Sequence, residues 1–163
     1  EELLENLRRH GVGKIVDVRS SPYSKYAGHY NYNRLKGALP KYGVEYEFMG
    51  DALGGKPKKD EYLDAKGEPD YGKMACDQWF CEGLERVLEL AGRQKVCLMC
   101  SEEDPARCHR GVLIASRLAE SGVRVLHIRR EGPPEPEEET ARRRFSPKKN
   151  QMDLFSEMDD ESV

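Results

Sequence analysis

The residues best suited to chemistry crowd into one stretch, Cys100-Ser101-Glu102-Glu103-Asp104-Pro105-Ala106-Arg107-Cys108-His109-Arg110. Two thiols, an imidazole, three carboxylates and two guanidiniums share eleven positions. A thiol with an imidazole and a carboxylate nearby outlines a nucleophile, its base and the base's orienter. Cys100, His109 and Glu102 are therefore the catalytic candidates. Two observations weigh against that chemistry. Cysteine-dependent phosphatases and sulfurtransferases place an Arg after five intervening residues, whereas six separate Cys100 from Arg107. Glu102, Glu103 and Asp104 would also repel an oxyanion. A packing thiol is the simpler reading of Cys100.

Arg19 and Ser20 end an apolar run, and Arg107, His109 and Arg110 open a helix-like segment. Free N–H groups at a helix start attract anions. These five residues are expected to line a pocket for a phosphate or carboxylate. The competing reading pairs Arg19 and Arg110 with Asp17, Glu102 or Glu103 and merely ties two loops together.

Cys97 and Cys100 have a zinc-like gap, with Cys108 and His109 following. Positions 97 and 100 differ by an odd number on an expected strand, so their side chains leave opposite faces. No metal and no cofactor is expected. Cys76 and Cys81 are expected to pack. Tyr23, Tyr26, Tyr30 and Tyr32 surround His29, interleaved with Lys25 and Arg34. They could stack on nucleobases, but loop packing is the favoured reading. His10 and His127 carry no signal.

The elements that must position these groups follow from periodicity. Residues 1–10 read as a helix with Leu3, Leu4 and Leu7 on one face and Gly11 after it. Strands are expected at 14–20, 44–49, 95–100 and 123–128, all parallel in one sheet. Helices are expected at 33–42, with an end made uncertain by Pro40, at 71–93, and from Asp104-Pro105 to about Glu120. The stripe of the 71–93 helix is Phe80, Leu84, Val87, Leu88 and Ala91. Residues 50–69, rich in Lys, Gly and Pro, read as a mobile loop. The run 95–100 is continuously apolar, as suits a strand covered on both faces. The fold class is α/β: one doubly wound, mainly parallel sheet flanked by helices, with a disordered C-terminal tail. Ligands of such sheets bind beyond the carboxyl ends of the strands.

Three strings, Asp-Val-Arg-Ser-x-Pro at 17–22, Leu-Met-Cys-Ser-Glu-x-Asp-Pro-x-x-Cys-His-Arg at 98–110 and Val-x-His-Ile at 125–128, resemble the family called domain of unknown function 488 (DUF488). The resemblance spans residues 1–130 and implies a small α/β fold found widely in bacteria. It implies no established reaction. Members of that family begin with a strand containing Gly-His-Ser, which is expected to be missing here. The first residue, Glu1, suggests that the numbering starts inside a longer chain.

Composition divides the chain. Of 163 residues, 37% are hydrophobic and 35% charged, and the apolar ones fall almost entirely within 1–130. Residues 1–130 hold 22 Lys+Arg against 20 Asp+Glu, and residues 131–163 hold 5 against 10. Bulk charge therefore gives no nucleic-acid footprint. Five cysteines without a secretory segment point to reduced thiols and a cytoplasmic setting. The apolar runs are too short to cross a membrane.

Residues 131–150 are Pro- and Glu-rich, then basic, and are expected to be disordered. The island Gln151-Met152-Asp153-Leu154-Phe155 follows. It resembles the peptide by which bacterial polymerases and repair proteins dock on the replication sliding clamp. Gln151, Asp153, Leu154 and Phe155 occupy its defining positions. The function expected is that of a bacterial DNA repair or replication protein that binds or processes a phosphate-bearing substrate, nucleotide or nucleic acid, while tethered to the clamp. A non-catalytic adaptor or small-anion-binding module, and a cysteine-dependent hydrolase or transferase, are the alternatives.

Overall fold

The computed structural model describes residues 2–130 and 132–145. Helix α1 (Glu2–Arg9) buries Leu7 and leads through Gly11, at φ +63°, into strand β1 (Lys14–Asp17). Every residue of β1 is buried, because it is the central strand. Helix α2 (Tyr32–Ala38) ends where Pro40 opens a separate 3-10 turn, Leu39–Tyr42. Proline has no N–H to continue the α-helical ladder. Gly43, at φ +74°, then admits strand β2 (Glu45–Phe48).

The expected mobile loop 50–69 is anchored instead. Helix α3 (Gly50–Leu53) and a 3-10 turn at Asp60–Tyr62 bury Leu53 and Tyr62 against the core. Loops that can bury such groups stay close to the surface they cover. The long helix expected at 71–93 is two helices, α4 (Tyr71–Met74) and α5 (Gln78–Ala91). Asp70 caps the first by accepting the Lys73 N–H. Phe80 and Val87 are buried as the stripe required, with Gly83 and Leu90, while Leu84 and Leu88 pack partly buried.

Strand β3 (Val96–Met99) completes a parallel sheet in the order β2-β1-β3. Lys14 is level with Glu45 on one side and Val96 on the other, and Asp17 with Phe48 and Met99. The chain leaves β1 toward β2 and returns to its opposite flank as β3. The reversal of direction lies between the carboxyl ends of β1 and β3, where such sheets open a crevice. One core cluster (Val16, Val18, Phe80, Leu113, Ile114) covers one face and another (Leu7, Ile15, Leu35, Leu39) the other.

The fourth expected strand does not join this sheet. Only β4 (Leu126–His127) forms, and it pairs antiparallel with β5 (Glu135–Pro136) in a separate ribbon. Disorder expected from residue 131 does not hold for the segment that follows. Helix α7 (Glu137–Phe145) docks on the domain and buries Glu137 and Thr140. Glu137 Oε2 lies 2.6 Å from His127 Nε2, and its Oε1 accepts from Arg144 at 2.6 Å. A polar sequence folds here because its charges find buried partners. His127, without signal in the sequence, is one anchor of α7. No helix among the described residues is long and apolar enough to cross a membrane. Gln151, Asp153, Leu154 and Phe155 lie outside the described residues.

Candidate functional site

The segment leaving β3 sets the site. Asp104 accepts the Ala106 N–H and starts a 3-10 turn, Pro105–Arg107. The expected continuous helix to Glu120 is broken: a π-helical stretch, Arg110–Ala115, runs into α6 (Ser116–Glu120). Irregular turns of this kind gather at functional sites. Gly111 allows the fold, since a β-carbon there would lie 2.0 Å from the Pro105 carbonyl oxygen. The break turns Cys108 and His109 inward, both buried.

His109 Nε2 lies 3.0 Å from the Val18 carbonyl oxygen, just past β1. A carbonyl only accepts, so Nε2 is the donor of this bond and Nδ1 is left to face the thiols. That Nδ1 lies 3.8 Å from the Cys100 sulfur and 3.8 Å from the Cys108 sulfur. The Arg110 N–H donates to Cys108 Sγ at 3.4 Å. The Cys100 thiol is driven well below its ordinary value by the hydrogen bond from Cys108, with help from His109 and the Glu102 N–H. Cys108 moves the opposite way, because its proton is held between the two sulfurs and it is buried. Cys100 is half-buried.

Two residues not singled out in the sequence enclose it. Gly55 packs on the imidazole so closely that a β-carbon would sit 2.5 Å from His109 Cγ. The Tyr71 phenol is raised first by burial and then by the charges of Cys108 and Cys100. The Gly54-Gly55 pair was the available signal, since adjacent glycines mark close backbone approach.

Of the residues expected to line an anion pocket, Arg19 and Arg110 already have partners. Arg19 is spent on Asp17, donating from Nε at 2.8 Å and from its terminal nitrogen at 2.6 Å, and on the Tyr30 carbonyl at 2.8 Å. Asp17, fully buried, also accepts the Tyr46 hydroxyl at 2.7 Å. Asp17 and Arg19 alternate with Val16 and Val18, so they face the Ile15 side of the sheet and His109 the other. The Ser20 hydroxyl accepts the Lys56 N–H at 2.9 Å and pins residues 54–56 over the strand end. Arg110 donates to the Glu102 and Glu103 carbonyls at 3.3 Å each, and Arg107 is exposed. The loop-tying alternative describes Arg19 and Arg110.

Glu102 does not orient His109; its carboxylate accepts the Asp104 N–H at 3.4 Å, and the orienter is the Val18 carbonyl. The other two acids are neutralised. Glu103 pairs with Arg129 at 2.9 Å, and Asp104 with Arg143 of α7 at 2.9 Å. Cys97 lies on the face opposite Cys100, as parity required, and burial raises its thiol. Cys76 and Cys81 are exposed rather than packed.

A second surface leaves the same edge of the sheet. Residues 18–44 contain no Asp or Glu, yet hold Arg19, Lys25, Arg34, Lys36 and Lys41 and five of the eight tyrosines. Tyr30 and Tyr32 pack, Tyr32 edge-on against Tyr46 and Phe48. Tyr23 and Tyr26 do not: they are 59% and 100% exposed. The packing reading therefore fails for those two rings. Beside them lies a cavity of about 520 Å³, lined by Tyr23, Gly28, His29, Asn31, Asn33 and Arg34.

A family model described as Domain of unknown function DUF488 matches residues 1–118, a span that takes in both surfaces. No curated protein and no solved structure matches the chain.

Proposed function

The chain belongs to the DUF488 family, and from that premise we propose that it binds single-stranded nucleic acid or a nucleotide along residues 18–44, in DNA repair or replication. The observation that carries this reading is the acid-free segment with exposed Tyr23 and Tyr26 beside Lys25, His29 and Arg34. Bases stack on such rings while cations hold the backbone phosphates, and neither contact reads sequence. The phosphate contacts come from this surface rather than from Arg19, which Asp17 already neutralises.

The test is anisotropy of a labelled single-stranded oligonucleotide with the full chain over a salt series. Tyr23→Ala with Tyr26→Ala should weaken binding by about 1–3 kcal/mol per stacked base. Lys25→Glu with Arg34→Glu should flatten the salt dependence. Equal binding by wild type and all four substitutions would refute the assignment.

The tether to the sliding clamp rests on Gln151, Asp153, Leu154 and Phe155. Leu154 and Phe155 supply two apolar anchors, worth about 1.5–3 kcal/mol each on full burial. Because α7 is docked, five residues separate Phe145 from Gln151, a reach of at most about 20 Å. A peptide of residues 146–163 should bind a bacterial clamp in calorimetry, and Leu154→Ala with Phe155→Ala should abolish the signal. Silence from the wild-type peptide at high micromolar concentration ends the clamp reading alone.

A further inference from the structure

We propose that Cys100, Cys108 and His109 form a zinc site, holding one Zn²⁺ through two thiolates and the imidazole Nδ1, with a fourth position open to the crevice between β1 and β3. This inference does not depend on nucleic-acid binding. It starts from spacing. The three ligand atoms all lie within 4.8 Å of one another, and Nδ1 is 3.8 Å from each sulfur. Zinc bonds of about 2.3 Å to sulfur and about 2.0–2.1 Å to nitrogen, at tetrahedral angles, put ligand atoms roughly 3.5–3.8 Å apart. The two nitrogen-to-sulfur distances already match that spacing.

The surroundings already make the contacts that metal ligands need. A metal-binding imidazole donates its other N–H to a carbonyl or carboxylate, which fixes its tautomer. His109 does this to Val18 at 3.0 Å, which leaves Nδ1 3.8 Å from each sulfur. A backbone N–H supports one of the sulfurs, Arg110 donating to Cys108 at 3.4 Å. Two soft thiolates and one imidazole are a donor set for zinc rather than for magnesium or calcium. Among the described residues these are the one such group of three His, Cys or acidic side chains.

Three protein ligands instead of four is the pattern of a zinc ion that keeps a place for water or substrate. Cys108 and His109 are buried and Cys100 is half-exposed, so the open place lies on the Cys100 side. On loading, the two thiol protons go to solvent, and two thiolates with one neutral imidazole neutralise the dication.

The experiment uses the full chain, stripped with chelator under reductant and titrated with Co²⁺, then Zn²⁺. One equivalent of Co²⁺ should give thiolate-to-cobalt charge-transfer absorption, and Zn²⁺ should erase it. Cys100→Ser and Cys108→Ser should each lower that absorption. His109→Ala should weaken affinity by more than the roughly 10–100-fold lost with an outer contact. Cys97→Ser, Cys76→Ser and Cys81→Ser should titrate like wild type. Circular dichroism identifies variants that do not fold; for those, X-ray absorption on the zinc-loaded wild type should report two sulfurs and a nitrogen. The proposal is overturned by absence of cobalt–thiolate absorption in wild type, by its loss in Cys97→Ser, or by a Cys100–Cys108 disulfide that survives reductant. Rapid alkylation of Cys100 in the presence of Zn²⁺ would also overturn it, and would mark a free nucleophile instead.

Discussion

Two loops leave the carboxyl ends of adjacent parallel strands, and they treat charge in opposite ways. The one after β1 has no carboxylate for 27 residues and leaves its outer rings and cations in water. The one after β3 holds three acids in a row, yet Glu103 and Asp104 are matched by Arg129 and Arg143 and its reactive groups turn inward. The first is a surface with unmet attraction for anions and bases. The second is internally satisfied in its charges and offers unshared electron pairs on sulfur and nitrogen. Proximity to the strand ends therefore says that a segment can serve a ligand, while the partners it already has decide which kind.

The largest expected effect strikes the base of the first loop. Asp17→Ala leaves the Arg19 guanidinium buried without its carboxylate, and removing one member of a buried pair costs about 3–5 kcal/mol. Chemical denaturation should show the loss. A drop under about 1 kcal/mol would mean that water reaches Arg19 and that the two loops are less different than they look.

Gly55→Ala tests the second loop. Its β-carbon would strike the His109 ring, and overpacking of this sort costs about 1–3 kcal/mol. Cobalt binding should fall while oligonucleotide binding is kept. Loss of both together would join the two surfaces into one site.

Acid should separate the regions as well. Arg143, then Arg129, hold the Glu135 carboxyl down to about 2, against the opposing effect of burial. The folded value lies below the unfolded one, near 4.3. The stabilisation is therefore complete above that value and disappears as pH falls toward about 2. Hydrogen exchange should show α7 loosening over that window, before the β2-β1-β3 sheet opens. Simultaneous opening would show that α7 and the sheet form one cooperative unit.

The smallest effect on stability belongs to Tyr26→Ala. The ring is wholly exposed, so the melting transition should stay within about 0.5 kcal/mol of wild type. A clear destabilisation would place the ring in a packing role and remove it from the nucleic-acid surface.

Local rules reached some of this from the chain alone. The three sheet strands follow from apolar runs, the Asp104 cap from Asp-Pro, and the opposed faces of Cys97 and Cys100 from counting by twos. Other features had no local signature. The 123–128 run has strand composition, yet only Leu126 and His127 pair, and with Glu135 and Pro136. Helix α7 reads as a solvated charge run in sequence; His127, Asp104 and Glu135 supply its partners.

By itself, then, the sequence determined a parallel α/β sheet and the two segments proposed to carry function, because periodicity and turn chemistry act between residues a few positions apart. It also determined which donors were available: Cys100, Cys108 and His109 stand within ten positions. Only the tertiary structure decided what they became. The Val18 carbonyl lies 91 residues from His109, makes Nε2 the donor of their bond and leaves Nδ1 to face the sulfurs. Asp17 removes Arg19 from the anion site, and Arg129 and Arg143 cancel the acids that had argued against one. Hydrogen bonds and ion pairs depend on distance in space, and distance in space between remote segments is what the packing of helices on the sheet sets.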